Sequence, residues 1–132
     1  MSNAFPTLTG EDLERGEVLA PRFDANGLMA AIAQHAETKE ILMIGWMNEE
    51  ALRLTLAEGR VVYFSRSRNK IWRKGEESGQ VQVVKEIRID CDQDAVLIQV
   101  LPGGDGGACH TGLGSCFYRR IEDGRLIMDP LP

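Results

Sequence analysis

Apolar and polar positions along the chain follow mainly the two-residue period of β-strands. Strands are predicted where apolar side chains dominate between turn residues, over 28–34, 40–46, 60–65 and 95–101. The first of these segments is rich in alanine and is also compatible with a helix. Near the end of the chain, Asp123 and Gly124 predict a tight turn between two further strands, 117–122 and 125–128.

Two short helices are predicted from capping residues. Thr9 precedes acidic residues and predicts a helix over 11–15. Asn48 is a favourable N-cap and Gly59 a favourable stop, which predicts a helix over 49–58. Because strands outnumber helices and short turns join most of them, we predict an α+β domain with a largely antiparallel sheet.

Residues 80–91 are predicted to form a strand whose faces differ in chemistry. Val81, Val83, Ile87, Ile89 and Cys91 would share one face, and Gln82, Glu86, Arg88, Asp90, Asp92 and Asp94 the other. Three neighbouring carboxylates repel one another unless a cation lies among them, and oxygen ligands suit Mg²⁺. The alternative is a solvated acidic strand end, and on either interpretation Cys91 points away from the aspartates.

Composition limits the class of protein. The 132 residues fit one domain over 1–132, with 43% hydrophobic and 27% charged residues. A net charge of −5 disfavours nucleic acid or an acidic membrane as partner. The longest apolar run, 41–47, is too short to span a bilayer, and the first residues do not resemble a secretion signal. We therefore expect a cytoplasmic protein.

Three cysteines cannot all pair within one chain, and disulfides are rare in a reducing compartment. Cys109 and Cys116 are separated by six residues in a glycine-rich segment, and with Cys91 they would provide three thiolates for Zn²⁺. Three protein ligands leave the fourth position open, as in catalytic zinc sites. The alternative is that the cysteines are small buried apolar residues, which suits Cys91 best.

The two histidines have different surroundings. His110 follows Cys109 directly, so it is a fourth ligand, a general acid or base, or a loop residue without a chemical role. His35 lies on the first predicted strand and is interpreted as a packed or hydrogen-bonded residue at the edge of the core.

A basic segment stands out in this acidic chain. Between 65 and 75 it contains Arg66, Ser67, Arg68, Lys70, Trp72, Arg73 and Lys74. Guanidinium and hydroxyl groups bind phosphate, and an indole offers a surface for a purine. The segment predicts a nucleotide site, and an exposed basic loop is the alternative.

In this order the motifs resemble the phosphoribosyl-AMP cyclohydrolase family, in its single-function form. The matching stretches are 41–43 with 46–52, 65–68 with Trp72, 74–76 and 78–79, 86–88 with 90–92 and Asp94, and 108–112 with 115–119. They cover most of the chain, with a family-like core over about 28–119.

The resemblance implies a hydrolase of histidine biosynthesis that opens the N1–C6 bond of the adenine ring of 1-(5-phosphoribosyl)-AMP with zinc-activated water. It implies Mg²⁺ on Asp90, Asp92 and Asp94, and Zn²⁺ on Cys109, Cys116 and the partner subunit's Cys91 in an intertwined homodimer. His110 is then expected to transfer protons. Arg66, Ser67, Arg68, Trp72 and Lys74 are expected to bind the phosphorylated purine nucleotide.

Two functions of other classes compete with this hypothesis. A zinc-stabilised nucleotide-binding dimer without catalysis would use His110 as a fourth ligand and close the metal site. A thiol redox protein would need a resolving cysteine pair, and the chain has no C-x-x-C motif.

Overall fold

The fold is described from a computed structural model, which covers residues 5–104 and 113–128. Two helices and eight strands follow one another in the described ranges. They are α1 (Gly10–Arg15), β1 (Met29–His35), β2 (Ile41–Met47), α2 (Glu49–Glu58), β3 (Val62–Ser65), β4 (Lys70–Arg73), β5 (Gln82–Ile89), β6 (Ala95–Pro102), β7 (Arg119–Glu122) and β8 (Arg125–Met128).

The main sheet has four strands in the order β2-β1-β6-β5. β1 pairs with β2 and β5 with β6 antiparallel, whereas the central β1 and β6 are parallel. The hairpins β3–β4 and β7–β8 form separate two-stranded sheets. The predicted α+β class is confirmed, and segment 28–34 is a strand rather than a helix; the sheets are mostly antiparallel, with one parallel pair.

Helix α2 closes one side of the core as its capping residues predicted. The Asn48 side chain accepts from the backbone N–H of Ala51 at 2.8 Å, and Gly59 ends the helix at φ 72°. Buried Thr55 donates to the Ala51 carbonyl and accepts from the Val62 N–H at 2.9 Å, which ties α2 to β3. The cap predicted for α1 is wrong, because the Thr9 side chain makes no capping hydrogen bond.

The predicted alternation on β5 is wrong at both ends. Gln82 is buried and Val83 is exposed, which reverses the expected faces. A bulge between Val84 and Glu86 then shifts the register by one residue, so that Ile87 and Ile89 pack against the core. The strand ends at Ile89, and residues 90–94 form a turn rather than a strand continuation.

Two other strand boundaries differ from the prediction. No strand was predicted within the basic segment, for which an exposed loop was the alternative to a nucleotide site, but β4 pairs with β3 from Val62–Arg73 to Ser65–Lys70. Charged residues on β4 hide the alternation because both of its faces carry cations. At the C-terminal hairpin, β7 begins at Arg119 rather than at 117.

Candidate active site

The three aspartates converge although they do not share a strand face. One carboxylate oxygen from each of Asp90, Asp92 and Asp94 lies within 4.8 Å of the others, at the β5–β6 turn. The turn is closed by Asp90, whose Oδ1 accepts from the N–H groups of Asp94 at 2.9 Å and Ala95 at 3.2 Å. Three oxygens at this spacing suit a hard divalent cation. In the described part of the chain this is the one cluster of three or more potential metal ligands.

The carboxylates of this acidic turn titrate unequally. Hydrogen bonding to Asp90 and then to Asp92, with their negative charge, raises the pKa of Asp94 to about 6. Partial burial opposes ionisation of Asp90, but hydrogen bonds from Asp94 and from the backbone N–H groups outweigh it and lower the pKa of Asp90. Without a cation and below about pH 6, Asp94 therefore carries a proton that relieves the repulsion, so a cation and a proton compete for the cluster.

Two of the predicted thiol ligands lie at different places in the subunit. Cys91 is exposed in the acidic turn, so its interpretation as a buried apolar residue is wrong. Cys116 is also exposed, and its backbone N–H donates to the Leu42 carbonyl at 2.7 Å. The acidic turn leads into Ala95 on β6, and Ala95 and Trp46 on β2 both pair with Ala30 on β1. Trp46 is four residues along β2 from Leu42. That offset corresponds to roughly 13 Å along the strands, in addition to the spacing across the sheet.

The basic segment is a β-hairpin that lines a cleft. The cleft has a volume of about 660 Å³ and is lined by Ser67, Arg68, Lys70, Trp72 and Lys74, with Glu76 and Glu77 on its rim. Trp72 is 40% exposed, whereas Lys74 is only 7% exposed and its ammonium lies 5.5 Å from the centre of the Trp72 ring. An open indole beside a sheltered cation can receive both a purine and a phosphate.

A second cleft of about 520 Å³ adjoins the first and shares Ser65, Ser67 and Trp72 with it. Arg66 lies there with its guanidinium 4.6 Å from the centre of the Trp46 ring. The structure thus gathers all five predicted substrate-binding residues around Trp72. Trp46 was not predicted to take part, because in the sequence it belongs to an apolar strand.

The cations of the hairpin do not all face the clefts. Arg73 forms a bidentate salt bridge with Glu58 on α2. Its Nη2 lies 2.8 Å from one carboxylate oxygen, and its Nε lies 3.2 Å from the other. This side-chain hydrogen bond lowers the pKa of Glu58. The pair fixes the outer edge of β4 to α2, so Arg73 has a structural role, whereas Arg68, Lys70 and Lys74 line the cleft.

At the floor of the second cleft, Tyr63 belongs to a buried polar pair that was not predicted from the sequence. The Tyr63 hydroxyl donates to Gln82 Oε1 at 2.7 Å, and the Tyr63 ring lies 5.7 Å from the Trp72 ring. Burial raises the pKa of Tyr63, and the nearby Cys116 raises it further, so the phenol stays a donor. A Cβ on Gly45 would lie 2.6 Å from the Tyr63 ring. A glycine within an apolar strand is the sequence signal for such a close approach.

The remaining predicted site residues fall in two groups. Cys109 and His110 lie outside the described residues. His35 behaves as predicted, since its Nδ1 accepts from the N–H groups of Glu37 at 3.1 Å and Thr38 at 3.3 Å at the β1–β2 turn.

Comparison with known proteins agrees with these motifs. The family model described as phosphoribosyl-AMP cyclohydrolase matches residues 43–118. The chain is 65% identical to a phosphoribosyl-AMP cyclohydrolase of Caulobacter sp. (strain K31) over 128 residues, covering 96% of each chain. It is 62% identical to that of Caulobacter vibrioides, covering 92% of this chain and 87% of the relative. It is 58% identical to that of Hyphomonas neptunium, covering 92% of this chain and 91% of the relative.

The motifs and the family match define a hydrolase with an α+β fold. The chain belongs to the phosphoribosyl-AMP cyclohydrolase family, the hydrolases of histidine biosynthesis. Among the described residues, no helix is long and apolar enough to cross a membrane.

Proposed function

We propose that this chain opens the purine ring of 1-(5-phosphoribosyl)-AMP. Water adds its oxygen to C6, the C6–N1 bond breaks, and the two protons of the water pass to N1 and to the exocyclic imino nitrogen of C6. C6 becomes the carboxamide carbon, and N1 stays attached to C2 and to the second phosphoribosyl group. The product is the formimino-carboxamide ribotide. This reaction, in the cytoplasm, is the specific activity that we assign within the family.

The observation that carries this proposal is the pair of clefts around Trp72. The substrate has two phosphates and a purine, and therefore needs cations on more than one side of an aromatic surface. Lys74 and Arg68 line the first cleft with Trp72, and Arg66 lines the adjoining cleft with Trp72, against Trp46. Arginine and lysine bind phosphate oxygens, and stacking on an indole is worth about 1–3 kcal/mol per base.

Magnesium is proposed on Asp90, Asp92 and Asp94. Their oxygens satisfy the requirement for a hard cation, because three carboxylates already lie within 4.8 Å of one another. The cation would offset their mutual repulsion and help to hold substrate phosphate. Since Mg²⁺ commonly keeps waters and binds only a few carboxylates, an open turn suits it.

Zinc is proposed on Cys109, Cys116 and the partner subunit's Cys91, in a homodimer. Thiolates are the donors that Zn²⁺ prefers, and both described thiols are exposed and can reach across an interface. The separation of Cys91 and Cys116 within one subunit supports a site shared between two subunits. When bound, Zn²⁺ supplies a Lewis acid that lowers the pKa of water to about 7.

The C-terminal hairpin supports a dimer as well. Among the described residues, β7 and β8 pair with each other and with no other strand, and Ile121 is 77% exposed, Leu126 58% and Met128 52%. Three large apolar side chains exposed on one small hairpin favour burial by a second protein surface. We propose a second copy of this chain as that partner.

His110 is proposed to move the proton between the attacking water and N1. A histidine titrates near neutral pH and transfers protons in both directions. A His110→Ala dimer should keep its zinc and lose at least 100-fold in kcat, which metal analysis and turnover measure together. Loss of zinc from that variant would instead make His110 a ligand, and full activity would remove it from the reaction.

Ring opening is tested by ultraviolet monitoring of phosphoribosyl-AMP with the full chain, Zn²⁺ and Mg²⁺, and by mass spectrometry of the product. We expect turnover with gain of one water, abolished by a zinc chelator and restored by added Zn²⁺. A folded, zinc-loaded dimer that binds the nucleotide without opening it would contradict the proposal and favour the non-catalytic binding module.

Sharing of the zinc site is tested by mixing two inactive variants. A heterodimer of Cys91→Ser and Cys109→Ser chains contains one intact site of the two, so we expect up to half of the wild-type activity per mixed dimer. Two Cys109→Ser chains are the matched control and should stay inactive. Mixed dimers without activity would contradict a shared site.

A further inference from the structure

Gln93 is a buried amide in the middle of the acidic turn. It is 5% exposed although its neighbours Asp92 and Asp94 face solvent more openly. Its Oε1 accepts from the Ala20 N–H at 2.7 Å, and its Nε2 donates to the carbonyls of Leu13 at 2.9 Å and Val18 at 3.3 Å. One side chain therefore contacts three points of residues 10–22, which we call the N-terminal arm.

The backbone of Gln93 continues this contact. Its carbonyl accepts from the Arg22 N–H at 2.7 Å, and its own N–H donates to the Asp90 carbonyl at 3.1 Å. It adopts φ 57°, a left-handed conformation that glycine accepts without strain and a glutamine does not. A glutamine at this position is therefore explained by its amide, which must offset the unfavourable backbone conformation.

The turn needs such an anchor because its charged groups repel one another. One oxygen from each of three carboxylates lies within 4.8 Å of the others, and hydrogen bonds inside the turn run among the aspartates and to the backbone N–H groups of Asp94 and Ala95. None of these bonds joins the turn to another segment of the described chain. Gln93 lies between Asp92 and Asp94 in sequence, and its amide connects the turn to the N-terminal arm.

We propose that Gln93 is a positioning residue that preorganises the acidic turn for a divalent cation by fastening it to the N-terminal arm. This inference rests on the proposed magnesium site. The amide is suited to the task because one group both accepts from and donates to the arm, which neither a carboxylate nor an aliphatic side chain does. The arm becomes a supporting part of the cation site although it provides no ligand.

The test is calorimetric titration of the full chain with Mg²⁺ for wild type, Gln93→Gly, Gln93→Asn and Asp90→Asn. Gln93→Gly removes the amide but relieves the backbone, so weaker binding would report the side chain rather than strain. Loss of residues that orient metal ligands costs about 10–100-fold in affinity, and we expect a loss in that range. Gln93→Asn keeps the amide but is one methylene shorter, and it should also bind more weakly.

Lys39→Gly is the matched control. Lys39 has φ 67° and its ammonium donates to the Ala36 carbonyl at 2.9 Å, so the change likewise relieves the backbone and removes a hydrogen bond. It lies in the β1–β2 turn, beyond His35, which pairs with Val100 at the opposite end of β6 from the acidic turn. Its Mg²⁺ affinity should equal that of wild type.

Hydrogen exchange gives a second readout that does not need a cation. In Gln93→Gly, or in Gln93→Asn if the glycine variant does not fold, the amides of Ala20 and Asp94 should exchange faster, and those of β1 should not. If the Gln93 variants bind Mg²⁺ with wild-type affinity and show unchanged hydrogen exchange, the role of Gln93 is wrong, whereas the magnesium site still stands. If wild type binds Mg²⁺ no better than Asp90→Asn, the proposed magnesium site is wrong and the inference falls with it.

Discussion

The two charged regions of this molecule are held in place by different means. The basic cleft is built on paired strands, where the register of β3 and β4 fixes Trp72 opposite Tyr63 and Arg73 opposite Val62. The acidic turn has no strand pairing of its own and is held by hydrogen bonds that the Asp90 carboxylate and the buried Gln93 amide oxygen accept. Strand register tolerates the loss of a single side chain, whereas a turn of like charges depends on each of its anchors.

This contrast predicts that a single substitution in the acidic turn lowers activity more than a single substitution in the cleft. Asp90→Asn removes a cation ligand and weakens the acceptor for the Asp94 and Ala95 amides. We expect about 100-fold lower turnover at fixed Mg²⁺, measured with phosphoribosyl-AMP. Asp123→Asn, which changes an acidic turn residue in the β7–β8 hairpin, is the control and should stay active. Equal activity of both variants would show that Asp90 holds no cation.

The cleft should respond mainly in substrate binding. Trp72→Ala removes the stacking surface, and the loss of about 1–3 kcal/mol should raise KM by about 5- to 150-fold. Mg²⁺ affinity should not change. Arg73→Lys is the control on the same strand, because Arg73 faces Glu58 rather than the cleft, and its KM should rise less than about two-fold. A larger effect of Arg73→Lys than of Trp72→Ala would reverse the assigned roles.

Mg²⁺ binding at the acidic turn should also depend on pH. The pKa of Asp94 is raised to about 6, so below that pH a proton occupies the cluster and must leave before a cation binds. Mg²⁺ affinity should therefore fall as pH decreases through 6, approaching about ten-fold per pH unit below it. Titration of the Asp94 carboxyl resonance near pH 4 in the cation-free protein would contradict this.

The same raised pKa has an opposite consequence for the cation-free fold. Because folded Asp94 holds its proton more tightly than an unfolded aspartate, its contribution to stability is greatest at low pH. That contribution decreases as pH rises from about 4 through 6. Asp94→Asn should remove this component from the pH dependence of urea unfolding, and wild type with saturating Mg²⁺ should lose it too.

The smallest effect on activity is expected at the cleft floor. Gly45→Ala places a methyl group 2.6 Å from the Tyr63 ring, and such overpacking costs about 1–3 kcal/mol of unfolding free energy. Because strand pairing still holds the hairpin, KM should change only a few-fold. Gly114→Ala, where an added Cβ meets nothing within 4 Å, is the control for urea unfolding. Equal stability of the two variants would show that the Tyr63 ring shifts to accommodate the added methyl group.

How far the sequence predicts the structure differs between these regions. Helix α2 was predictable because Asn48 and Gly59 cap its two ends, and such capping residues are recognised from the local sequence. The faces of β5 were not, since a bulge at Lys85 reverses the alternation and no residue type marks it. The aspartate cluster was predicted from strand alternation, yet it forms in a turn. The prediction of proximity is confirmed, and the reason given for it is wrong.

In the candidate site, too, local features were predictable and long-range contacts were not. Its charged and aromatic residues were found because their chemistry is visible in one short segment, as with Trp72 and Lys74. Its supports were missed because their partners are distant in sequence: Gln93 bonds residues about 70 to 80 positions away, and Tyr63 pairs with Gln82. A buried amide is predictable only when the segment that it contacts is known.

The most direct test of two separately held regions is a crosswise titration of wild type, Asp90→Asn and Trp72→Ala. Each is titrated with Mg²⁺ alone and with AMP in the absence of divalent cations. We expect Asp90→Asn to lose only Mg²⁺ binding and Trp72→Ala to lose only AMP binding. If either variant loses both ligands while its fold and stability match those of wild type, the acidic turn and the basic cleft are not held independently, which would contradict the central claim.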